Sequence, residues 1–410
     1  MNKTLRILTV LILSAIMLIG AASCAGPSDG PLTTPRVTAV PATPEPDLDP
    51  DSFDYTEKTY AAAEIMEHSK VQGRTLLTTF VPKKNQPERE GIALDYSASS
   101  VTFYAYCEGS VEMTFYSKNT GVGGNKLYLS VYVDDVQQGL YRSDFRLSGS
   151  KETTLVIAEN LPRSFHKFVI EKQSEAERGA VYVEEMKISG ELWDKPSDSS
   201  LFIEFIGDSI TTGYGNLWPD LSDGENGANA ANNEYVDGTR TYAVLAAKAL
   251  GADYSVVAQQ GIGCVIGWYP HTMTGTYAMR CYQCGREEEW DFARKPDVVV
   301  INLGTNDIGF HYSGQCDRKM LEDGFRNFLR LVREKNPDSL IVWAYGMMDT
   351  SASELIKAAV DDLGGSEKGF CFLQLSPNGE GGNGHPTLAA HQQNAKTLEN
   401  YLRTLLNIPA

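Results

Sequence analysis

Residues 205–216 read FIGDSITTGYGN, and this stretch decides how the second half of the chain folds. It closes an apolar run, LFIEF, and turns at once to small and polar residues. A strand that ends in a tight turn and leads toward a helix holds a serine hydroxyl exposed at its tip. Ser209 occupies that tip. Gly-Asp-Ser is also ordinary turn chemistry, so the reading depends on whether a proton acceptor for Ser209 exists downstream.

From residue 199 onward, the short apolar runs LFIEFIG, DYSVVAQQG, DVVVINLG, SLIVWAYG and FCFLQL alternate with helical patterns such as TYAVLAAKALG and MLEDGFRNFLRLVREKN. Uniformly apolar strands separated by helices predict a parallel sheet covered on both faces. Ligands of such sheets bind beyond the carboxyl ends of the strands. The loops that begin at Gly207, Gly261, Gly304, Gly346 and Ser376 are therefore where chemistry is expected.

Four of these loops carry reactive or donor groups. The first holds Ser209. The second, Gln260-Gly261-Ile262-Gly263, lets a backbone N–H approach a ligand closely. The third, Gly304-Thr305-Asn306-Asp307, offers the Asn306 amide, which with the N–H groups of Ser209 and Gly261 completes a hole for an oxyanion. The fifth carries Gly384-His385-Pro386. The chain has 6 histidines, and His385, just before the last helical pattern, is the one placed to act as general base for Ser209. His68 and His166 lie in a different region, His391 falls inside the final helix, and His271 and His311 have no supporting motif. Asp208 reads as a loop brace. Each signal alone has a bland reading, a turn or a helix cap; their order at successive strand ends carries the weight.

In that order, GDSIT, QQGIG, GTND and GHP resemble the four blocks of the SGNH hydrolases. FIGDSITTGYGN, WDFARKPDVVVINLGTND and HPTLAAHQQNA are further similar to carbohydrate esterase family 2, whose members place a jelly roll before the SGNH domain. The resemblance implies a flavodoxin-like α/β esterase domain and removal of O-linked acetyl groups from polysaccharides such as xylan or glucomannan, with no cofactor and no metal. The residues alone imply ester hydrolysis by a serine. This chain departs from the family twice. SGNH enzymes place an aspartate two or three residues before the histidine; here Gly382 and Asn383 stand there, leaving a Ser–His dyad with Asn383 or a main-chain carbonyl to orient the ring. Gly384 also replaces the family's sugar-stacking aromatic. Tyr214, Trp218, Trp268 and Tyr269 lie in other loops of the same end and are candidates to stack on sugars. Two alternatives remain open: a serine esterase acting on another acyl ester or an envelope glycan, and a carbohydrate-binding lipoprotein with weak catalysis.

Residues 54–195 alternate apolar and polar side chains in SSVTFYAYC, SVEMTFYS, KLYLSVYVDD, TTLVIAENL, HKFVIEKQ and GAVYVEEMKISGEL, separated by turns such as NTGVGGN. Short alternating strands with little helix predict an antiparallel β-sandwich of jelly-roll type, followed by the esterase domain over 199–410. TYAAAEIMEHSK reads as a helical lead-in. The EKQSEAERGAVYVEEMKISG stretch is similar to the family's closing jelly-roll strands.

Ahead of these, MNKTLR and the apolar ILTVLILSAIMLIG, then Ala21-Ala22-Ser23-Cys24, read as a signal peptide over 1–23. Cys24 stands where a bacterial lipoprotein signal needs its lipidated residue, although ordinary cleavage at the same bond also fits. Residues 24–53, rich in Pro, Thr and Asp, cannot bury enough apolar surface to fold and read as a tether. These features predict an extracytoplasmic protein anchored to a membrane only through lipid, and the long tether suits a Gram-positive cell. The net charge of −17 becomes two units more negative without Lys3 and Arg6. Such a surface repels phosphate backbones, so nucleic acid is a poor partner, whereas a neutral polysaccharide meets no such conflict. Cys281-Tyr-Gln-Cys284 lacks the second pair a zinc ribbon requires and reads as a disulfide or free thiols ahead of a metal site.

Overall fold

A computed structural model describes residues 48–139, 145–218 and 233–409. The proposed signal peptide, Cys24 and most of the tether lie outside the described residues.

The carboxyl-terminal half is built on β1 (Phe202–Gly207), β2 (Asp253–Ala258), β3 (Val298–Asn302), β4 (Leu340–Tyr345) and β5 (Phe370–Gln374). They form a five-stranded sheet in the order 2-1-3-4-5, with every neighbour parallel. Helices α1 (Tyr242–Ala249) and α5 (Leu388–Leu406) share a core with Ile203, Phe205, Val300 and Val342. On the opposite face, α3 (Arg318–Lys335) and α4 (Ser353–Asp362) pack on Ile206, Ile301, Ile341 and Trp343. A strand sandwiched in this way must be apolar on both sides, which is why the five runs lack alternation. The helix α2 (Thr305–Tyr312) follows β3 directly.

The amino-terminal half is an antiparallel β-sandwich region, and its strands are longer than the sequence patterns suggest. SSVTFYAYC and SVEMTFYS belong to a single strand, Ser100–Asn119. TTLVIAENL and HKFVIEKQ likewise join in Lys151–Lys172. These two pair with each other and, through the first, with Gly179–Leu192, the register slipping around Gly109. Bulges bend a strand without ending it, so Gly109 and Asn160, both with positive φ, look like turns in sequence and are bends in space. The bent sheet closes on Phe103, Phe115, Val131, Phe168, Ile170 and Val181. The lead-in TYAAAEIMEHSK divides into a strand, Glu57–Ala61, and a short helix, Ala62–Glu67.

Buried polar side chains join the two halves. Arg74, from the sandwich, is 1% exposed and donates to the carbonyl of Tyr277 at 2.6 Å. Its guanidinium also pairs with Glu204 of β1 at 3.4 Å. Lys70 meets Asp253 across the halves at 2.5 Å, Arg294 reaches the same carboxylate from within the α/β half at 2.7 Å, and Glu171 takes Lys248 at 2.7 Å. Arg74, Glu204, Asp253 and Glu171 are buried deeply enough that leaving one without its partner is costly, so the two halves hold each other in register.

Trp343 links the core to the loop end of β3: it is fully buried, and its indole N–H donates to the carbonyl of Leu303 at 3.0 Å. Replacing it (Trp343→Ala) opens a cavity and strands that carbonyl, and should cost about 3–5 kcal/mol in chemical denaturation. A loss below about 1 kcal/mol would contradict this packing.

Candidate active site

The parallel register sets the site. Gly207 is level with Ala258 of β2 and Asn302 of β3, so the loops after these strands open side by side. Ser209 begins a single helical turn, Ser209–Thr212, capped by Asp208, whose Oδ1 accepts the Ile210 N–H at 3.0 Å. Burial pushes the Asp208 carboxyl up to about 7. That environment suits a brace better than an exposed acid.

His385 comes from the far end of the chain. Its Nε2 lies 2.8 Å from the Ser209 Oγ. Its Nδ1 lies 3.2 Å from the carbonyl oxygens of both Gly382 and Asn383. Carbonyls only accept, so Nδ1 carries the proton and Nε2 presents its lone pair to the hydroxyl. Asn383, at φ 55°, contributes its main-chain oxygen to this arrangement. Burial lowers the His385 pKa to about 4, against the pull of the two carbonyls. The ring is therefore neutral at neutral pH.

The loops that open beside this pair carry three donor groups. Among the described residues, the N–H groups of Ser209 and Gly261 have no acceptor. The Asn306 Nδ2 donates one hydrogen to the carbonyl of Ile262 at 2.8 Å, leaving its second hydrogen for a ligand. Gly261 adopts φ 73°, a conformation that side chains resist.

Asp307, next to Asn306, has a role the sequence reading missed. Its buried carboxylate accepts the N–H groups of Cys264 at 3.0 Å, Val265 at 2.7 Å and Ile266 at 3.1 Å. It thereby ties the loop after β2 to the loop after β3. Burial raises this carboxyl above its usual range, and the three amides oppose that shift. Gly263 makes the approach possible, since a Cβ there would lie 2.8 Å from both Asp307 oxygens. A glycine spaced two residues after Gly261 was the available signal.

The four aromatic candidates separate. Tyr214 is 3% exposed and packs on the His385 ring at 4.5 Å between centroids. It supports the imidazole and has no face open to a sugar, contrary to expectation. Half-buried Tyr269 donates its hydroxyl to Glu177 and stacks on His271. Trp218 is half-buried against Tyr235 at 4.5 Å. Trp268 alone of the four is largely exposed, at 76%. It stands over Gly261 and meets Phe310 edge-on at 5.4 Å.

Two other features lie apart from this site. Cys281 and Cys284 form a disulfide. A cleft of about 1030 Å³ between the sandwich and the α/β half is lined by Lys70, Tyr132, Glu171 and Asp253. Asp253 opens β2, so this cleft sits at the amino end of the sheet, opposite Ser209.

The sequence pattern of the GDSL-like lipase/acylhydrolase family matches residues 205–406. The chain is 28% identical over 332 residues to the cellulase/esterase CelE of Acetivibrio thermocellus, an alignment covering 74% of this chain and 38% of CelE. The chain thus spans well under half of that relative's length. It is 25% identical over 254 residues to an acetylxylan esterase/glucomannan deacetylase of Cellvibrio japonicus, covering 59% of this chain and 68% of the relative. A family two carbohydrate esterase from Clostridium thermocellum, solved in complex with cellohexaose, superposes with a TM-score of 0.69 at 25% identity, over 83% of this chain and 99% of that one.

Removing the Asp307 carboxylate (Asp307→Ala) leaves three N–H groups without their acceptor, each costing about 1–3 kcal/mol where buried. Urea denaturation should register a loss of at least about 3 kcal/mol. An unchanged midpoint would show that the loop after β2 is held by other contacts.

Proposed function

We propose, from the premise that residues 205–406 form a GDSL-like acylhydrolase domain in the two-domain architecture of family 2 carbohydrate esterases, that this protein removes acetyl groups from polysaccharides. The observation that carries the reading is the 2.8 Å contact between Ser209 Oγ and an imidazole whose other nitrogen is fixed by carbonyls. The acetylxylan esterase/glucomannan deacetylase among the relatives supports xylan or glucomannan as the polymer.

In this mechanism, His385 Nε2 accepts the Ser209 proton as Oγ attacks the acetyl carbonyl. The oxyanion rests on the N–H groups of Ser209 and Gly261 and on the Asn306 amide. His385 then protonates the departing sugar oxygen, and the acetyl group stays on Ser209. Water, deprotonated by the same imidazole, releases acetate and restores the hydroxyl. The carbonyls of Gly382 and Asn383 do what a triad aspartate does for geometry and tautomer. They supply no negative charge to the imidazolium, so this dyad stabilises the charged intermediate less than a triad would.

Trp268 is the group we assign to sugar stacking, on its exposure beside Gly261. A flat indole face suits the apolar face of a pyranose. Sequence alone supports the remaining part of the proposal: Cys24 as the lipidated residue of an extracytoplasmic protein, tethered through 24–53 to the surface of a Gram-positive cell.

Acetate release from acetylated xylan and glucomannan tests the central reading. Ser209→Ala and His385→Ala should each lower kcat by about a thousandfold or more. Release that persists in either variant would overturn the dyad. Protonating His385 removes the base, so kcat/KM should fall as pH drops through about 4. An acid limb near the ordinary histidine value of about 6.5 would contradict the buried, carbonyl-held ring. Trp268→Ala should raise KM for the polymers by about tenfold, the loss of about 1.4 kcal/mol of stacking, and leave 4-nitrophenyl acetate unaffected. Equal effects on polymer and small ester would sink the stacking role.

A further inference from the structure

We propose that the β-sandwich is part of the catalytic apparatus, with Glu175 and Arg178 as positioning residues that aim the Gly261 N–H at the oxyanion. The proposal rests on the esterase reading above and assigns the sandwich a task within it.

The group at issue is the peptide between Gln260 and Gly261. Its orientation decides where the Gly261 N–H points, and glycine places no side-chain restraint on it. Downstream, the loop is secured by its own domain. Trp268 N–H donates to the Gly261 carbonyl at 3.0 Å, Asn306 holds the Ile262 carbonyl, and Asp307 gathers the amides of Cys264, Val265 and Ile266. Upstream, the short bonds come from the sandwich. Gln260 N–H donates to Glu175 Oε2 at 2.9 Å. The Gln260 side-chain oxygen accepts from Arg178 Nη2 at 2.6 Å. Arg178 Nε then donates to Glu175 Oε1 at 2.9 Å, closing the ring. Gln260 is thus gripped at main chain and side chain by one ion pair.

The grip is rigid for physical reasons. Glu175 is 0% and Arg178 1% exposed, so water does not compete, and a charge-assisted bond in a low-dielectric site is strong. The ion pair is itself anchored. Lys172 Nζ donates to the carbonyls of Asp95 at 2.6 Å, Ser174 at 2.6 Å and Glu175 at 3.1 Å. The Arg178 carbonyl accepts the Thr120 N–H at 3.0 Å, and its N–H returns to the Glu175 carbonyl at 3.2 Å. An oxyanion hole works because its donors are fixed before charge develops. Loosening one donor therefore penalises the transition state and leaves ground-state binding alone.

The test uses the full chain with Glu175→Gln, Gln260→Ala and Gln260→Glu, assayed on 4-nitrophenyl acetate. Active sites are titrated with an organophosphonate, and a trifluoromethyl ketone serves as the tetrahedral mimic. Glu175→Gln should lower kcat per titrated site by about ten- to a hundredfold, and Gln260→Ala by about tenfold, with KM within about twofold. Affinity for the ketone should fall in parallel. Gln260→Glu keeps an acceptor for Arg178 and should retain most of the wild-type kcat. Should Glu175→Gln fail to fold, the contrast between Ala and Glu at position 260 decides. Wild-type kcat per site and unchanged ketone affinity in Gln260→Ala would overturn the proposal, whatever the melting temperature. So would equal losses in Gln260→Ala and Gln260→Glu. A wild-type protein inactive on every acyl ester would fail the esterase reading and take this one with it; an active wild type with unaltered variants would sink this one alone.

Discussion

A hydroxyl and an imidazole from opposite ends of one α/β domain must meet at 2.8 Å without a carboxylate to guide them. Everything around the pair answers that constraint. Parallel pairing brings the loops after β1, β2 and β3 level. The helix α5 starts just after His385, with the Thr387 side chain accepting the Ala390 N–H at its first turn, which fixes where the preceding segment leaves the sheet. Within that segment, Asn383 takes a left-handed conformation and the carbonyls of Gly382 and Asn383 turn in toward the ring. Tyr214 fills the space beside the imidazole. A triad holds its histidine with one strong ionic bond; here two neutral bonds and a ring contact share the task.

The two-domain arrangement follows the same economy of buried polar contacts. Burial lowers Lys172 to about 8 and raises Asp95 to about 6, and Lys172 bridges the carbonyls of Asp95 and Glu175. Asp95 also accepts the Gln283 N–H of the α/β half at 2.7 Å. Burying this many charges contributes little net stability against an apolar alternative, yet removing one partner is severe. What such a cluster does supply is direction. Each bond has one geometry, so the sandwich meets the α/β half in one pose, with its Glu175 beside the loop that carries Gly261.

The parallel sheet and the chemistry at its carboxyl end could be read from sequence because both are local signals. Strands such as DVVVINLG announce burial on two faces, and GDS, GTND and GHP each sit at the end of a run. The β-sandwich was less legible. The alternating pattern breaks at Gly109 and Asn160, where the backbone bends and the register slips without the strand ending. Tyr214 was misjudged because its position in a top-face loop says nothing about which way the ring turns; packing on His385 decides that. Asp307 and Glu175 escaped for a common reason. Their partners are main-chain amides in other loops, and a backbone N–H has no signature in sequence. The orienting group for His385 was narrowed to the Asn383 side chain or a carbonyl, and only coordinates separate these.

The central claim is that Ser209 becomes acylated by virtue of His385. The most direct measurement is to mix the protein with a slowly deacylating 4-nitrophenyl ester, quench in acid, and map peptides by mass spectrometry. The account predicts the acyl group on the peptide containing Ser209, and on no peptide when His385 is replaced by alanine. An acyl group on another residue, or labelling of Ser209 that survives the loss of His385, would contradict it.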